Sequence, residues 1–276
     1  MERNIPVSYN IPFLNLAEPM HRSFFRELAL NGARHVVLGT GMLTQMIAQP
    51  ELPEVIAAEL EEAGLSFADS HAPYGLHWDL SAPFEAERGA RTLRMLLAIE
   101  LASFFKVGTM TLHLGKKSPE MTPEQRVDAV CRSLEKLVPF AEEKKVTLCL
   151  ENGFAYLGFP QQLLTIRERF PSLGICFDAG HANMSVAPDP AAAGKVPEMK
   201  EILEALLPHI ANCHIHDNDG SCDRHDLPGR GNADWEYICG KLKEAPRLQV
   251  IQSEVNIPKN GVAIRELVET FRRMFE

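Results

Sequence analysis

The fold can be inferred from one stretch of the chain, residues 146–178, whose sequence is VTLCLENGFAYLGFPQQLLTIRERFPSLGICFD. It begins and ends with short apolar runs, at residues 146–151 and 173–178, and an amphipathic stretch at residues 160–170 lies between them. Two strands separated by a helix pair in parallel, because the helix carries the chain back to the starting edge of the sheet. This stretch therefore predicts a strand, a helix and a second, parallel strand.

The same alternation occurs eight times. Short apolar runs lie at residues 6–11, 35–39, 65–71, 109–114, 146–151, 173–178, 210–216 and 249–254, and amphipathic stretches lie near residues 19–31, 51–63, 84–106, 123–144, 160–170, 197–207, 233–244 and 261–275. Eight such units imply a closed barrel of parallel strands. No Pro/Ser-rich linker divides the chain, and we interpret residues 185–197 as a rim loop. We therefore predict an α/β fold, a single (β/α)8 TIM barrel domain over residues 1–276.

The composition is that of a globular protein with a full core, since 45% of the residues are hydrophobic. Lys and Arg total 28 and Asp and Glu total 37, a net charge of −9, which argues against a nucleic-acid partner without excluding one. None of the six cysteines forms a CxxC pair, so a thiolate zinc site is not expected. No signal-peptide pattern and no long apolar run is present, so we predict a cytoplasmic protein with no membrane partner.

Side-chain alternation along the later strands places acidic and imidazole groups on one face. In the run at residues 173–178, Ile175 and Phe177 share a face and Asp178 lies on the other. The face toward the helices has to be apolar, so the face that carries Asp178 points into the barrel. The same reasoning, applied to four strands, brings four groups to the C-terminal rim: Glu151, Asp178, His214 and Glu254.

These four groups predict a metal site. Carboxylates a few ångströms apart repel each other and are costly to bury, and a bound cation removes that cost. Oxygen and imidazole ligands without a thiolate suit Zn²⁺, Mn²⁺, Co²⁺, Fe²⁺ or Mg²⁺. We therefore predict one divalent metal ion as the cofactor. His71 and His113 end the third and fourth runs on the inward side, where they could bind either substrate or further metal ions.

Several motifs occur together in the second half of the chain: Leu150-Glu151-Asn152, Phe177-Asp178-Ala179-Gly180-His181-Ala182-Asn183, His214-Ile215-His216-Asp217-Asn218, Asp223-Arg224-His225-Asp226-Leu227-Pro228-Gly229-Arg230-Gly231 and Ser253-Glu254. With them the chain resembles the xylose isomerase-like TIM barrel superfamily. That group includes sugar isomerases and epimerases and also the endonuclease IV DNA-repair enzymes. The resemblance spans strands 3 to 8, and its motifs are typical of the superfamily without selecting one reaction.

The resemblance to the ketose epimerases of this group implies that one metal is held by Glu151, Asp178, His214 and Glu254. It implies that Glu151 and Glu254 also form the catalytic acid/base pair, and that His181 contacts the substrate. An arginine after the seventh strand would contact the substrate too. Arg224 and Arg230 both fit that description, and we take Arg230 as the candidate.

On this interpretation the chain is a metal-dependent isomerase or epimerase of a small sugar-like ketone or aldehyde. One glutamate removes a proton from carbon, the metal stabilises the enediolate, and the other glutamate returns a proton. Trp78 or Phe154 would supply an apolar wall for the sugar. The outer surfaces of the helices could also form the contacts of a homo-oligomer.

The resemblance to the endonuclease IV group implies instead three zinc ions on nine ligands. The chain has a candidate for each of the nine ligands. Four are Glu151, Asp178, His214 and Glu254, and the other five are His71, His113, His181, Asp223 and His225. Gly75 weighs against this alternative, since it follows Tyr74 where a large apolar residue would wedge into the DNA. The loop at residues 39–43 also lacks the arginine that these nucleases have there. A trinuclear zinc phosphodiesterase acting on abasic DNA is therefore the alternative function.

Overall fold

Eight parallel strands pair with their neighbours in chain order, and the first also pairs with the last to close a barrel. They are β1 Val7–Tyr9, β2 His35–Leu38, β3 Ser66–His71, β4 Thr109–Leu112, β5 Thr147–Glu151, β6 Gly174–Asp178, β7 Ile210–Ile215 and β8 Val250–Ser253. The structure is a computed structural model that describes residues 4–11, 18–115, 120–153, 156–184 and 198–275. The predicted TIM barrel is confirmed, and each strand lies inside its predicted run.

Helices surround the barrel: α1 Met20–Leu30, α2 Thr40–Ala48, α3 Leu52–Ala63, α4 Glu85–Phe104, α5 Pro123–Glu143, α6 Pro160–Arg169, α7 Ala179–Asn183, α8 Met199–Leu206, α9 Trp235–Glu244, α10 Ile257–Asn260 and α11 Ile264–Phe275. Eight of them match the predicted amphipathic stretches. The other three, α2, α7 and α10, are short and were not predicted. The predicted rim loop at residues 185–197 and Phe154 lie outside the described residues.

Local signals fix several helix ends. Thr122 begins α5 with a capping box, in which its hydroxyl accepts the Gln125 N–H and the Gln125 side chain accepts the Thr122 N–H. Gly64 ends α3 in the left-handed conformation, at φ 70°. Within the described residues, no helix is long and apolar enough to cross a membrane.

The barrel interior below the rim is polar. Asn212 donates to Asp69 Oδ2 at 3.2 Å and to Thr111 Oγ1 at 3.3 Å, and Thr111 Oγ1 lies 3.3 Å from His214 Nε2. All four residues are buried, and burial raises the pKa of Asp69 to about 6. Buried polar groups need partners, so this chain of contacts fixes the orientation of the His214 ring from below.

Candidate functional site

Asp178 is placed by two neighbouring pieces of backbone. It is the last residue of β6 and the N-cap of α7, where its Oδ1 accepts the His181 N–H at 2.7 Å. Its own N–H donates to Asn152 Oδ1 at 2.8 Å, and its carbonyl accepts from Asn152 Nδ2 at 2.9 Å. The D-x-G-H motif is therefore a strand-to-helix turn that fixes one carboxylate oxygen, and the other, Oδ2, lies 3.2 Å from His216 Nε2 and 3.6 Å from His214 Nδ1.

The four predicted groups Glu151, Asp178, His214 and Glu254, here called the inner cluster, meet at the rim. His214 Nδ1 lies 3.2 Å from Glu151 Oε1 and 3.3 Å from Glu254 Oε1. It also lies 3.6 Å from Asp178 Oδ2. None of these side chains is more than 10% exposed. Three carboxylates thus surround one buried imidazole nitrogen.

Two more imidazoles approach Glu151 from β3 and β4. His113 Nε2 lies 2.7 Å from Glu151 Oε2, and His71 Nε2 lies 3.6 Å from the same oxygen. Thr40 Oγ1, at the start of α2, lies 3.3 Å from His71 Nδ1. The half-exposed Tyr74 ring stacks on His113 with 4.6 Å between ring centroids. Imidazole nitrogens therefore lie close to both oxygens of Glu151, although Oε2 forms no hydrogen bond with the described residues.

His181, Asp223 and His225, here called the outer cluster, lie beside the inner cluster. Asp223 Oδ2 lies 3.1 Å from His225 Nε2 and 3.5 Å from His181 Nε2. His225 Nδ1 lies 2.9 Å from the Glu254 carbonyl, which links the outer cluster to the end of β8. The five groups predicted as additional metal or substrate ligands, His71, His113, His181, Asp223 and His225, thus lie around the four-residue site.

His216 is a site residue that the sequence analysis did not select. It is fully buried, and its Nε2 lies 3.1 Å from Asp178 Oδ1 and 3.2 Å from Oδ2. Its ring stacks on His225 with 4.0 Å between centroids. Its Nδ1 lies 3.8 Å from Asp223 Oδ1. His216 therefore touches both clusters, and its only sequence signal is its inward position two residues after His214.

Asp217 anchors the loop that carries the outer cluster. Its Oδ2 accepts the N–H groups of Gly229 and Gly231 and the Trp235 indole N–H, at 2.8 to 3.1 Å. Its Oδ1 accepts the N–H groups of Asn218 and Ala233. A buried carboxylate with five donors fixes the path of the chain after β7. The H-x-H-D and P-G-x-G motifs are thus parts of one rigid loop.

Two acidic groups of the inner cluster, Glu151 and Asp178, are held in the ionised state. Burial raises the pKa of the Glu151 carboxyl, but nearby His113 and His214 outweigh burial and hold this pKa well below its ordinary value. Burial likewise raises the pKa of Asp178, and His181 is the first of several imidazoles that bring this pKa well below its usual range. These carboxylates are therefore available as anionic ligands or proton acceptors.

The outer cluster is a set of strong ion pairs. Burial raises the pKa of Asp223, but hydrogen bonds with His181 and His225 bring this pKa below its ordinary value. Burial lowers the pKa of His225, yet the hydrogen bond to Asp223 and the charge of Glu254 raise it to about 9. The pKa of His181 is also raised well above its usual value, mainly by Asp178 against the effect of burial. Asp223 therefore shares its charge with two imidazoles.

A cavity of about 780 Å³ opens above the two clusters. Its polar lining includes Glu151, Glu254 and the whole outer cluster, and it extends past His71 toward the loops after β1 and β2. Two predicted substrate contacts lie elsewhere. Arg230 donates to the Asn260 carbonyl and pairs with Glu266 at 2.8 Å, and Trp78 packs on the hydrophobic core. The structure therefore places neither among the cavity-lining residues.

The residues present fit a divalent cation. In the part of the chain that the structure describes, four sets of three His, Asp or Glu residues at this site have ligand atoms within 4.8 Å of one another. Three buried atoms of the site, Glu151 Oε2, His216 Nδ1 and Asp223 Oδ1, have no hydrogen-bond partner among the described residues. Carboxylate oxygens with imidazole nitrogens suit the ions predicted from the sequence.

The chain is similar to several known proteins. Uncharacterized protein MJ1311 of Methanocaldococcus jannaschii is 32% identical over 145 residues, 50% of this chain and 47% of that protein, so the chain matches about half the length of this curated relative. A D-tagatose 3-epimerase-like protein has a similar structure, with a TM-score of 0.76, 23% identity and coverage of 97% and 96% of the two chains. The TTHB071 protein from Thermus thermophilus, soaked with ZnCl2, has a TM-score of 0.69, 22% identity and coverage of 98% and 99%. The family model described as xylose isomerase-like TIM barrel matches residues 25–274, and the chain belongs to that family.

Proposed function

We propose that the protein is a divalent-metal-dependent isomerase or epimerase of an uncharged, sugar-like substrate. The observation that carries this proposal is the position of Glu151 and Glu254. They come from strands three places apart in the barrel, both line the cavity, and both reach the same nitrogen of His214. A substrate above His214 would therefore lie between two carboxylates, as an acid/base pair requires.

The inner cluster would hold the ion, with Glu151, Asp178, His214 and Glu254 as ligands. When bound, a divalent ion supplies Lewis-acid stabilisation of the negative charge that develops on a carbonyl oxygen. The zinc-soaked structure of TTHB071 supports metal binding in this fold, and the D-tagatose 3-epimerase-like neighbour supports an epimerase reaction.

The two glutamates would divide the proton transfer. Gln252 donates to Glu254 Oε1 at 2.7 Å, and among the described residues the nearest cation to Oε2 is His225 Nδ1 at 3.9 Å. Glu254 Oε2 is therefore the freer oxygen, and we assign to it removal of the C–H proton. Glu151 is ionised in the resting site, so it would first have to receive the proton that it returns on the other side, and His113 Nε2, 2.7 Å from Glu151 Oε2, is placed to relay that proton. His181 would orient a substrate hydroxyl.

The charge of the cavity supports a neutral substrate. Among its described lining residues there is no Lys or Arg, and the charged side chains are carboxylates and histidines. Recognition of a phosphate group relies on Arg, Lys or clustered backbone N–H groups, and DNA binding needs several phosphate contacts. The lining therefore favours an unphosphorylated polyol ketone or aldehyde over a sugar phosphate or a DNA strand.

Solvent exchange tests the proposal directly. The metal-loaded protein is incubated in D₂O with a panel of unphosphorylated ketoses and aldoses, and deuterium at the carbon next to the carbonyl is followed by NMR. We expect exchange with the wild type and loss of exchange with Glu151→Gln and Glu254→Gln. Glu100→Gln, an exposed glutamate on α4, is the matched control and should exchange normally. Unchanged exchange in both site variants would rule out the acid/base assignment.

One observation favours the second candidate, a zinc phosphodiesterase of the endonuclease IV type. All nine groups that such an enzyme needs meet around one cavity, including His71, His113 and the outer cluster. Metal content separates the two functions. One ion per chain, measured by mass spectrometry of the purified protein, supports the isomerase. Three zinc ions together with cleavage of a duplex that contains an abasic site would overturn it.

A further inference from the structure

Helix α4 exposes an apolar stripe on its solvent side, beside the exposed charged residues Glu87, Arg94 and Glu100. Three large side chains on it are half or more exposed: Leu93 at 64%, Leu97 at 52% and Phe104 at 50%. Ala86 and Ala90 continue the stripe toward the N-terminus of the helix, and both are exposed. The spacing from Ala86 to Phe104 follows a repeat of three and four residues, so these side chains lie on one face.

The opposite face of α4 already packs on the barrel. Its buried residues are Arg88, Thr92, Met95, Ala98, Ile99 and Ala102. The stripe is therefore separate from the face of α4 that packs on the barrel. The outer side of a barrel helix is normally polar, and contiguous exposed apolar surface marks an interaction site. Two more exposed apolar residues, Leu76 and Phe84, precede the helix at the same end as Ala86.

The stripe is complementary to itself. Its first two members are small, Ala86 and Ala90, and the next three are large, Leu93, Leu97 and Phe104. In an antiparallel pair of α4 helices with Ala90 near the axis, Leu93 of each copy lies between Ala86 and Ala90 of the other, and Leu97 lies opposite Phe84 of the other. Such a twofold contact is the commonest kind in homo-oligomers. Close approach at Ala90 lets the leucines of both copies interdigitate.

The charges beside the stripe agree with the same arrangement. Glu87 and Arg94 are seven residues apart and so lie on one flank of the helix. A twofold axis beside Ala90 brings Arg94 of each copy opposite Glu87 of the other. Arg94 has no ion-pair partner among the described residues, and Glu87 pairs with Arg91 through Oε2, which leaves Oε1 unpaired there. Two reciprocal ion pairs would therefore form across the axis.

We propose that the protein is a homodimer, in which the α4 stripes of two copies pack antiparallel with Ala90 near the twofold axis. The axis is perpendicular to α4, so the two barrel mouths open in opposite directions. Neither cavity is covered, and the contact is independent of the catalytic residues. Loss of the dimer would consequently leave the isomerase reaction intact.

The first test is the mass of the protein in solution, measured by sedimentation over a wide range of concentration. The wild type should have twice the mass of the chain. In the double variant Leu93→Glu/Leu97→Glu the dissociation constant should rise by about a hundredfold or more, because four charges would enter the apolar centre. Leu30→Glu, an equally exposed leucine on α1, is the matched control and should remain a dimer.

The second test addresses the register of the two helices. Ala90→Cys, in a Cys222→Ser background without the exposed native thiol, should form an intersubunit disulfide under mild oxidation. Glu62→Cys, on the exposed side of α3, should not. Arg94→Glu should weaken the dimer, and Arg94→Glu/Glu87→Arg should restore it, because only packing across the axis brings these residues together.

These outcomes decide the proposal. A wild type that is monomeric at every concentration, or a dimer that survives Leu93→Glu/Leu97→Glu, would refute it. A dimer without the Ala90 cross-link would refute the antiparallel arrangement. Circular dichroism of each variant shows that the fold is kept. Binding of a different protein to α4 while the chain alone stays monomeric would also contradict a second copy as the occupant.

Discussion

The packing around Gly180 requires a glycine at this position of the D-x-G-H motif, and Gly180→Ala is a direct test of the site geometry. A Cβ atom at this position would lie 1.9 Å from His216 Cε1, 2.4 Å from Nδ1 and 2.6 Å from Nε2. The ring has little room to move away, since it is fully buried and stacks on His225 with 4.0 Å between centroids. Gly180 thus leaves the space that His216 fills.

The expected cost of Gly180→Ala follows from this contact. Ordinary contact begins at 3.4 Å, so either the imidazole or α7 has to shift by more than about 1 Å. Overpacking costs about 1–3 kcal/mol, and a weakened hydrogen bond between His216 and the Asp178 carboxylate costs about as much again. We expect the free energy of unfolding to fall by about 2–4 kcal/mol, which lowers Tm by about 5–15 °C. Metal affinity should fall about 10–100-fold, because His216 orients a ligand.

Thermal unfolding and a metal-binding titration measure these effects. Gly240→Ala is the matched control, because it lies inside α9 with nothing within 4 Å of the new methyl group, and it should stabilise by about 0.5–1 kcal/mol. Adding Gly180→Ala to a His216→Ala protein should cost no stability, since the obstructing ring is gone. A Gly180→Ala protein with wild-type Tm and metal affinity would show that the ring does not occupy this position.

Three further predictions follow from other parts of the fold. Asp217→Asn places an amide N–H among backbone N–H donors and should lower the free energy of unfolding by about 2–4 kcal/mol. Hydrogen exchange at the amides of Gly229 and Gly231 should become faster, and unchanged exchange would contradict the anchoring role of Asp217. Thr122→Ala removes the cap of α5 and should cost about 1 kcal/mol by chemical denaturation, with no change in metal affinity. Removal of the metal by a chelator should lower Tm by about 5–10 °C if the ion was present at about a hundred times its Kd, and an unaltered Tm would argue against a bound ion.

The inner cluster could be predicted because two simple rules act on it. Alternation along a strand has a period of two, and the face toward the helices has to be apolar. Ile175 and Phe177 are indeed buried between sheet and helices, and Asp178 therefore points inward. The same argument holds for His214. No knowledge of distant contacts was needed, since parallel strands all end at one rim.

Contacts between distant segments account for what the sequence did not reveal. His216 has the same inward position as His214, but its importance depends on Gly180 and His225, which approach it only in the folded chain. Arg230 follows β7 in the sequence, yet the loop pinned by Asp217 turns it toward Glu266. Sequence position alone does not give the direction of a side chain on such a loop.

Helix α2 was not predicted for a more local reason. Its sequence, TGMLTQMIA, begins after Gly39 without a side-chain cap, and its apolar residues are not confined to one face. Met42, Leu43 and Met46 are nevertheless buried in the hydrophobic core, because α2 packs against α3 and α4. Tertiary packing here supplies the stability that the local sequence does not.

The charge balance of the two clusters bears on the number of metal ions. In the outer cluster, Asp223 already has two imidazole partners, at 3.1 and 3.5 Å, so its charge is neutralised without an ion. In the inner cluster, the carboxylates of Glu151, Asp178 and Glu254 all approach His214 Nδ1. His113 and His216 supply a further imidazole within 3.1 Å to Glu151 and Asp178, whereas the further imidazole at Glu254 is 3.9 Å away. A buried excess of negative charge is expensive, and a divalent cation is the group that removes it. One ion in the inner cluster would therefore offset the remaining negative charge, in agreement with the single metal ion that we propose. Two more ions would have to displace protons from the imidazoles of the outer cluster, whose partners already raise their pKa values.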